Sequence, residues 1–149
     1  MNISIHSRQS IGEFIRSGGF PDNTAVISFY SPKKNSAADA APVDYRSLPA
    51  RLFYVCAPDI DIEALPHFGL TYETYLEEAD RLADFIRKAV ADGLSIICQC
   101  DYGQSRSAAC CAAILEYYER SGISVFADYR YYPNQLVFNK ILDALKRKS

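Results

Sequence analysis

Four runs of apolar residues along the chain have the length and composition of β-strands. They occupy residues 2–6, 25–30, 51–58 and 94–100. The first run alternates between apolar and polar positions, which is typical of a strand at the edge of a sheet. The last, LSIICQC, is almost wholly apolar and is therefore predicted to be a central parallel strand that is covered on both faces.

Helical spacing of apolar residues marks the segments between and after these strands. It predicts helices over residues 10–19, from Thr71 or Thr74 to about Ala91, over 105–122, and over 133–148. We therefore expect an α/β fold with a central, mostly parallel sheet of about four to five strands, flanked by helices on both faces. Residues 31–50 contain three prolines and little periodicity, and they are predicted to be an excursion within a single domain that spans residues 1–149.

Composition and charge exclude several functional classes. The 149 residues are 49% hydrophobic and 23% charged, which is an ordinary balance for a globular domain. The formal net charge of -2 provides no basic field that would attract nucleic acid or anionic lipid, so we expect neither as a partner. The N-terminal stretch lacks the apolar core of a secretory signal, and no stretch has the roughly 18 to 20 apolar residues of a membrane span.

The cysteines indicate a reducing compartment. The chain has five, and Cys98, Cys100, Cys110 and Cys111 lie close together in sequence, which is a poor framework for disulfide bonds. We therefore expect a cytoplasmic location. The spacing of these cysteines also differs from that of zinc sites, and both histidines lie far away in sequence. Neither a metal nor another cofactor is expected.

The sequence CQCDYGQSRSAACC, residues 98–111, places Cys100 between the central strand and a helix of small residues. Ligands of α/β sheets bind beyond the carboxyl ends of the strands, where this cysteine is expected. A loop that curls back there points its N–H groups at a bound anion, with Gly103 permitting the required backbone angle. Arg106 can donate two hydrogen bonds to one phosphate. The predicted phosphate-binding residues are Asp101, Tyr102, Gly103, Gln104, Ser105 and Arg106.

The same positive potential makes Cys100 a candidate nucleophile. A cysteine beside a cation at a helix N-terminus has a lower pKa than an ordinary thiol and is ionised near neutral pH. Ser107 follows the arginine directly, and its hydroxyl is predicted to stabilise the sulfur as a leaving group in a second step. Cys100, Arg106 and Ser107 are thus the predicted catalytic residues of the loop.

This arrangement resembles the active-site loop of the cysteine-dependent protein tyrosine phosphatases, and more closely that of their small dual-specificity-like branch. The family signature is His-Cys-x-x-Gly-x-x-Arg-Ser/Thr, and residues 99–107 are QCDYGQSRS. The segment YYPNQLVF at 131–138 is also similar to that branch. The resemblance implies a dual-specificity phosphatase-like fold and hydrolysis of a phosphorylated protein or a small phosphomonoester, through a phosphocysteine intermediate and without a cofactor.

The resemblance also implies a general acid, an aspartate on a separate loop that precedes the cysteine. The segment CAPDIDIEALPHFGL, residues 56–70, contains two aspartates just beyond the end of a predicted strand. That position would put them at the same sheet edge as Cys100, as proton transfer to the leaving group requires. We favour Asp59, which directly follows Pro58, with Asp61 as the alternate. At least one of the pair is expected only to cap a turn.

One position departs from the family signature, because Gln99 stands where the family has a histidine. That histidine helps to orient the loop and to lower the pKa of the thiol. The helix terminus and Arg106 can supply much of the same stabilisation without it, so we predict an active enzyme. The alternative is a phosphate-binding pseudophosphatase that recognises a phosphorylated partner without turnover. A sulfur-transfer loop of the rhodanese type fits less well, since such loops lack the Arg-Ser register.

Overall fold

The computed structural model describes residues 1–32 and 41–147 and contains a four-stranded parallel sheet. The strands are β1 (Ile3–Ser7), β2 (Thr24–Tyr30), β3 (Arg51–Cys56) and β4 (Ser95–Cys100). Their order in the sheet is β1-β4-β2-β3, and every neighbouring pair is parallel. The central position of β4 and the edge position of β1 agree with the predictions from their apolar patterns.

Helices cover both faces of the sheet, as predicted. They are α1 (Arg8–Ser17), a 3-10 helix (Ile62–Phe68), α2 (Ala79–Ala91), α3 (Arg106–Glu119), α4 (Ile123–Phe126) and α5 (Gln135–Arg147). On one face, α1 packs on a small core that contains Ile11, Tyr45 and Ile97. The larger core lies on the other face, beneath α2, α3 and α5. Within residues 1–32 and 41–147, no helix combines the length and the apolar character needed to cross a membrane.

The small side chains of α3 allow this helix to lie close against the sheet. Ala108, Ala109, Ala112 and Ala113 are fully buried. Just beyond the helix, the chain passes so near that a Cβ on Gly122 would lie 2.6 Å from the carbonyl oxygen of Ala112. Such close packing holds the N-terminus of α3 next to the end of β4 and thereby positions the loop between them.

The helix predicted from Thr71 or Thr74 begins later, at Ala79, so its predicted start is wrong. Residues 72–78 form turns instead. Leu76 has a φ of 54°, in the left-handed region that an α-helix cannot include. In addition, the hydroxyls of Thr71 and Thr74 accept hydrogen bonds from each other's backbone N–H, which stabilises a turn in place of the first helical turns.

The predicted excursion over residues 31–50 is described only in part, since residues 33–40 lie outside the described residues. Residues 41–50 contribute Tyr45, which is 1% exposed, to the core on the α1 face. This segment also passes close to α1, and a groove lies between the two.

Strand register brings the candidate site residues to one edge of the sheet. Ser7 pairs with Cys100, and Tyr30 pairs with Cys56. Because all four strands are parallel, their carboxyl ends lie at the same edge, and the loops that follow β3 and β4 both begin there. The first of these loops contains Asp59, and the second is the predicted phosphate loop.

Candidate active site

The loop between β4 and α3 folds back against the end of β1. The backbone N–H of Arg8 donates to the carbonyl of Asp101 at 3.1 Å. Gly103 has a φ of 68°, and a Cβ at this position would lie 2.7 Å from the backbone nitrogen of Ser7. A side chain would therefore be strained by its own backbone angle and would also collide with a neighbouring strand. Glycine lets the loop close against the sheet edge.

The thiol of Cys100 lies at the end of β4, where it is 3% exposed. Its Sγ is 3.0 Å from the hydroxyl of Ser107. Burial by itself would raise the pKa of this thiol. The Ser107 hydroxyl and N–H, the charge of Arg106 and the Gly103 N–H outweigh burial, and the pKa lies below its ordinary value. The loop therefore stabilises the thiolate relative to that of an ordinary cysteine.

Three other cysteines have the opposite character. Burial raises the pKa of the Cys56 and Cys111 thiols. Cys98 lies in the core with Cys110, and their hydrogen bond together with burial raises the pKa of Cys98. All five cysteines are free thiols. The lowered pKa of Cys100 thus reflects its loop rather than a general property of cysteines in this fold.

We expect Ser107→Ala to slow alkylation of Cys100 by iodoacetamide about tenfold at mildly acidic pH, because a hydrogen bond to a charged group contributes about 1.5 to 3 kcal/mol. Losing the hydroxyl raises the pKa of the thiol, so the thiolate fraction falls and the rate profile shifts to higher pH. Ser105→Ala is the matched control, since that hydroxyl donates to Asp59 and not to the sulfur. Coincident profiles for Ser107→Ala and the unmodified protein would contradict this role for Ser107.

Arg106 begins α3, and its guanidinium is buried beside the loop. Nη1 donates to the hydroxyl of Ser31 at 3.0 Å and to the carbonyl of Ala57 at 2.7 Å, while Nη2 donates to Asp101 Oδ2 at 3.3 Å. Nε is buried and has no acceptor among the described residues. A buried donor without an acceptor is costly, so an anion that accepts from Nε would stabilise the site.

Asp101 presents its carboxylate to two arginines. Besides the contact from Arg106, Arg8 Nε lies 3.4 Å from Asp101 Oδ1. Arg8 is the first residue of α1 and reaches the loop because Ser7 pairs with Cys100. Sequence reasoning missed Arg8, and no spacing in the chain connects it to a residue so far away.

The remaining loop residues lie at the surface or bond to the segment before α5. Tyr102 is 82% exposed. The carbonyl of Gln104 accepts from the N–H of Tyr132 at 2.8 Å, and that of Ser105 accepts from the N–H of Asn134 at 3.2 Å. The segment with the sequence YYPN therefore braces the outer side of the loop.

Asp59 and Asp61 occupy different surroundings. Asp59 Oδ1 accepts from the hydroxyl of Ser105 at 2.7 Å and from Asn134 Nδ2 at 2.8 Å, so this aspartate is tied to the loop. Asp61 instead caps the 3-10 helix, where its side chain accepts from the N–H of Ala64 at 3.3 Å. Of the two candidates, only Asp59 contacts the phosphate loop among the described residues.

Gln99 lies on the opposite face of β4 from the thiol and is fully buried. Its Oε1 accepts from the hydroxyls of Ser28 at 2.5 Å and Tyr45 at 2.7 Å. Its Nε2 donates to the carbonyl of Cys100 at 3.1 Å. The amide thus joins the backbone carbonyl of the nucleophile to two buried hydroxyls.

The groups at the site supply a nucleophile, two cations and two carboxylates. Within residues 1–32 and 41–147, no three His, Cys, Asp or Glu side chains are placed to hold a metal ion. Cys100, Arg106 and Ser107 lie together, and Asp59 reaches them through Ser105. This set can bind an anion, attack it through sulfur and move a proton.

Solved structures of phosphatases and of a phosphatase-like protein match the chain over nearly its full length. Human DUSP28 has a TM-score of 0.55 and 18% identity, over 98% of this chain and 89% of its own. Tk-PTP in its active form has a TM-score of 0.55 and 15% identity, over 99% and 91%. The chain has the fold of the dual-specificity phosphatases. The human tyrosine phosphatase-like serine/threonine/tyrosine-interacting protein shares this fold, with a TM-score of 0.52 and 15% identity over 95% and 86%. No family profile and no curated protein matches the sequence.

Proposed function

We propose that this protein is a cysteine-dependent phosphatase that hydrolyses phosphomonoesters, with protein-tyrosine or dual-specificity substrates. The observation that carries this proposal is the environment of Cys100, whose pKa is lowered by Ser107, Arg106 and Gly103 despite burial. The buried Nε of Arg106 is an unused donor in the same environment. A stabilised thiolate and an unused donor beside it suit the phosphorus and the oxygens of a bound phosphate group. The dual-specificity phosphatase fold supports the same conclusion.

In the first step, Cys100 Sγ attacks phosphorus, and the bond from phosphorus to the ester oxygen breaks. Loop N–H groups and Arg106 stabilise the charge on the remaining phosphate oxygens. Asp59 enters this step protonated and gives its proton to the departing oxygen, so the alcohol or phenol leaves as a neutral molecule. Ser105 and Asn134 both bond to Asp59 Oδ1, which leaves Oδ2 to carry that proton. The product is a phosphocysteine.

In the second step, water attacks the phosphorus of the phosphocysteine. Asp59, now ionised, accepts a proton from that water, and the bond from phosphorus to sulfur breaks. The electron pair returns to Cys100 as a thiolate, which the Ser107 hydroxyl stabilises from 3.0 Å away. Inorganic phosphate then leaves, and the site is restored.

The substrate is a phosphorylated protein or a small phosphomonoester, and phosphate or sulfate-type anions occupy the same loop. No step calls for a metal or an organic cofactor. Free thiols throughout the chain suit a reducing cytoplasm, which we propose as its location. Neither nucleic acid nor a membrane is part of the proposal, because the net charge of -2 attracts neither.

Rapid acid quenching during turnover of para-nitrophenyl phosphate tests this function. We expect intact-protein mass spectrometry to detect one covalent phosphate and peptide mapping to place it on Cys100, because a phosphocysteine forms in every cycle. The other four cysteines serve as internal controls and should stay unmodified. Turnover without any modified cysteine would exclude the covalent route, and absence of turnover would exclude the enzyme.

A phosphate-binding protein without turnover is the second candidate, and the surroundings of Gln99 favour it. This residue replaces the family histidine, and its hydrogen bonds go to Ser28, Tyr45 and the Cys100 carbonyl rather than to the thiol. A structural neighbour carries the name phosphatase-like interacting protein. Binding of a phosphotyrosine peptide together with complete absence of para-nitrophenyl phosphate hydrolysis would identify this second function.

A further inference from the structure

A groove beside the phosphate loop is lined by three arginines. It runs between α1 and residues 42–46 and has a volume of about 380 Å³. Its charged lining residues are Arg8, Arg16, Arg46 and Asp44. Three cations therefore face one carboxylate, in a protein whose formal net charge is -2. The local charge of the groove is opposite in sign to that of the whole molecule.

One end of the groove meets the phosphate loop. Arg8 lies there, with its backbone N–H on the Asp101 carbonyl and its Nε 3.4 Å from the Asp101 carboxylate. Arg16 lies eight residues further along the same helix, roughly 12 Å away along its axis. The groove therefore starts beside the loop and leads away from it, as an extension of the phosphate site.

Of the three arginines, Arg16 and Arg46 have guanidinium groups that are available to a ligand. Arg8 instead contacts Asp101 and donates to the carbonyl of Ala41. Arg16 and Arg46 are exposed, and neither forms an ion pair with any described residue. The Arg16 guanidinium lies over Gly12, where a Cβ would be 3.0 Å from its Nη1.

Asp44 offsets only part of the positive charge of the groove. Its Oδ1 accepts from the backbone N–H of Arg46 at 3.0 Å. The Asp44 carboxylate forms no ion pair with the Arg46 guanidinium. Cations in a concave surface attract anions more strongly than cations spread over a flat one, because the walls exclude part of the solvent.

We propose that this groove binds an acidic segment of a phosphoprotein substrate, next to the phosphorylated residue held in the loop. The inference rests on the proposed function of that loop. An extended peptide rises about 3.3 Å per residue, so the roughly 12 Å along the helix axis between Arg8 and Arg16 matches about three to four residues. Aspartate or glutamate side chains in this stretch lie within reach of Arg16 and Arg46. Protein substrates with acidic residues near the phosphorylated site are therefore preferred.

Binding of phosphotyrosine peptides to the Cys100→Ser protein tests the groove without turnover. Three fluorescent phosphotyrosine peptides are compared by fluorescence anisotropy. One has acidic residues before the phosphotyrosine, one has acidic residues after it, and the third has glutamine at all those positions. We expect one acidic peptide to bind about tenfold more tightly than the glutamine peptide, since exposed ion pairs contribute up to about 1 kcal/mol each. Added salt should reduce this preference.

The double variant Arg16→Gln and Arg46→Gln should bring the preference below about twofold. Its matched control is Arg81→Gln and Lys88→Gln, which removes two exposed charges from α2 on the opposite face of the sheet and should retain the preference. The proposal is overturned if neither acidic peptide binds more tightly than the glutamine peptide, if the preference survives in the groove variant, or if the control also abolishes it. Failure of the phosphatase function itself would be seen separately, in the hydrolysis of para-nitrophenyl phosphate.

Discussion

Replacing Cys100 by serine should lower the turnover of para-nitrophenyl phosphate by at least about a thousandfold, or about 4 kcal/mol in activation free energy. The reason lies in the ionisation of the nucleophile. Ser107, Arg106 and Gly103 lower the pKa of the thiol and so stabilise the thiolate nucleophile, whereas a serine hydroxyl in the same place stays neutral. Steady-state kinetics of the purified variant measure this loss directly.

Retained anion binding separates this chemical effect from loss of structure. Serine is close to cysteine in volume, and the loop N–H groups and Arg106 remain, so orthovanadate or inorganic phosphate should still raise the thermal unfolding temperature of the variant. Cys56→Ser is the matched control, because that cysteine is exposed at the end of β3 and should be dispensable for turnover. Turnover by the Cys100→Ser protein at a rate near that of the unmodified protein would assign the nucleophile elsewhere.

Local patterns in the sequence predict the sheet and the loop well, for a physical reason. A buried central strand has no polar face, so LSIICQC identifies β4, and the loop that follows it is contiguous from Cys100 to Arg106. Side-chain alternation along a strand also places residue 99 on the opposite face from residue 100. That period explains why Gln99 bonds to Ser28 and Tyr45 while the sulfur meets the loop.

The local sequence patterns do not predict contacts between distant segments. Arg8 meets Asp101 only because β1 pairs with β4, and strand order cannot be read from apolar runs alone. The late start of α2 depends on the left-handed backbone of Leu76, a residue type that ordinarily favours helix. The position of Asp59 directly after Pro58 favours it only weakly over Asp61, since their roles depend on whether the side chain meets Ser105 or caps the 3-10 helix.

These different surroundings lead to opposite expectations for the two aspartates. Asp59→Asn should lower kcat for phenyl phosphate by about 10² to 10⁴, the usual contribution of a general acid, because phenol is a poor leaving group without a proton. The kcat for para-nitrophenyl phosphate should fall much less, since its leaving group departs more readily as an anion. Asparagine keeps the Oδ1 that accepts from Ser105 and Asn134, so the loop geometry should persist. Kinetics over a series of substituted phenyl phosphates measure this dependence on the leaving group.

Asp61→Asn is the matched control for the same series. Asparagine caps helices about as well as aspartate, so the contact with the Ala64 N–H should survive and kcat should stay within about twofold for every substrate. A steep dependence of kcat on the leaving group in Asp61→Asn would assign the general acid to Asp61. The absence of such a dependence in Asp59→Asn would show that Asp59 is not the general acid. Because Asp59 also holds the loop through Ser105, acid quenching of Asp59→Asn must still yield the phosphocysteine, which separates a lost proton donor from a displaced loop.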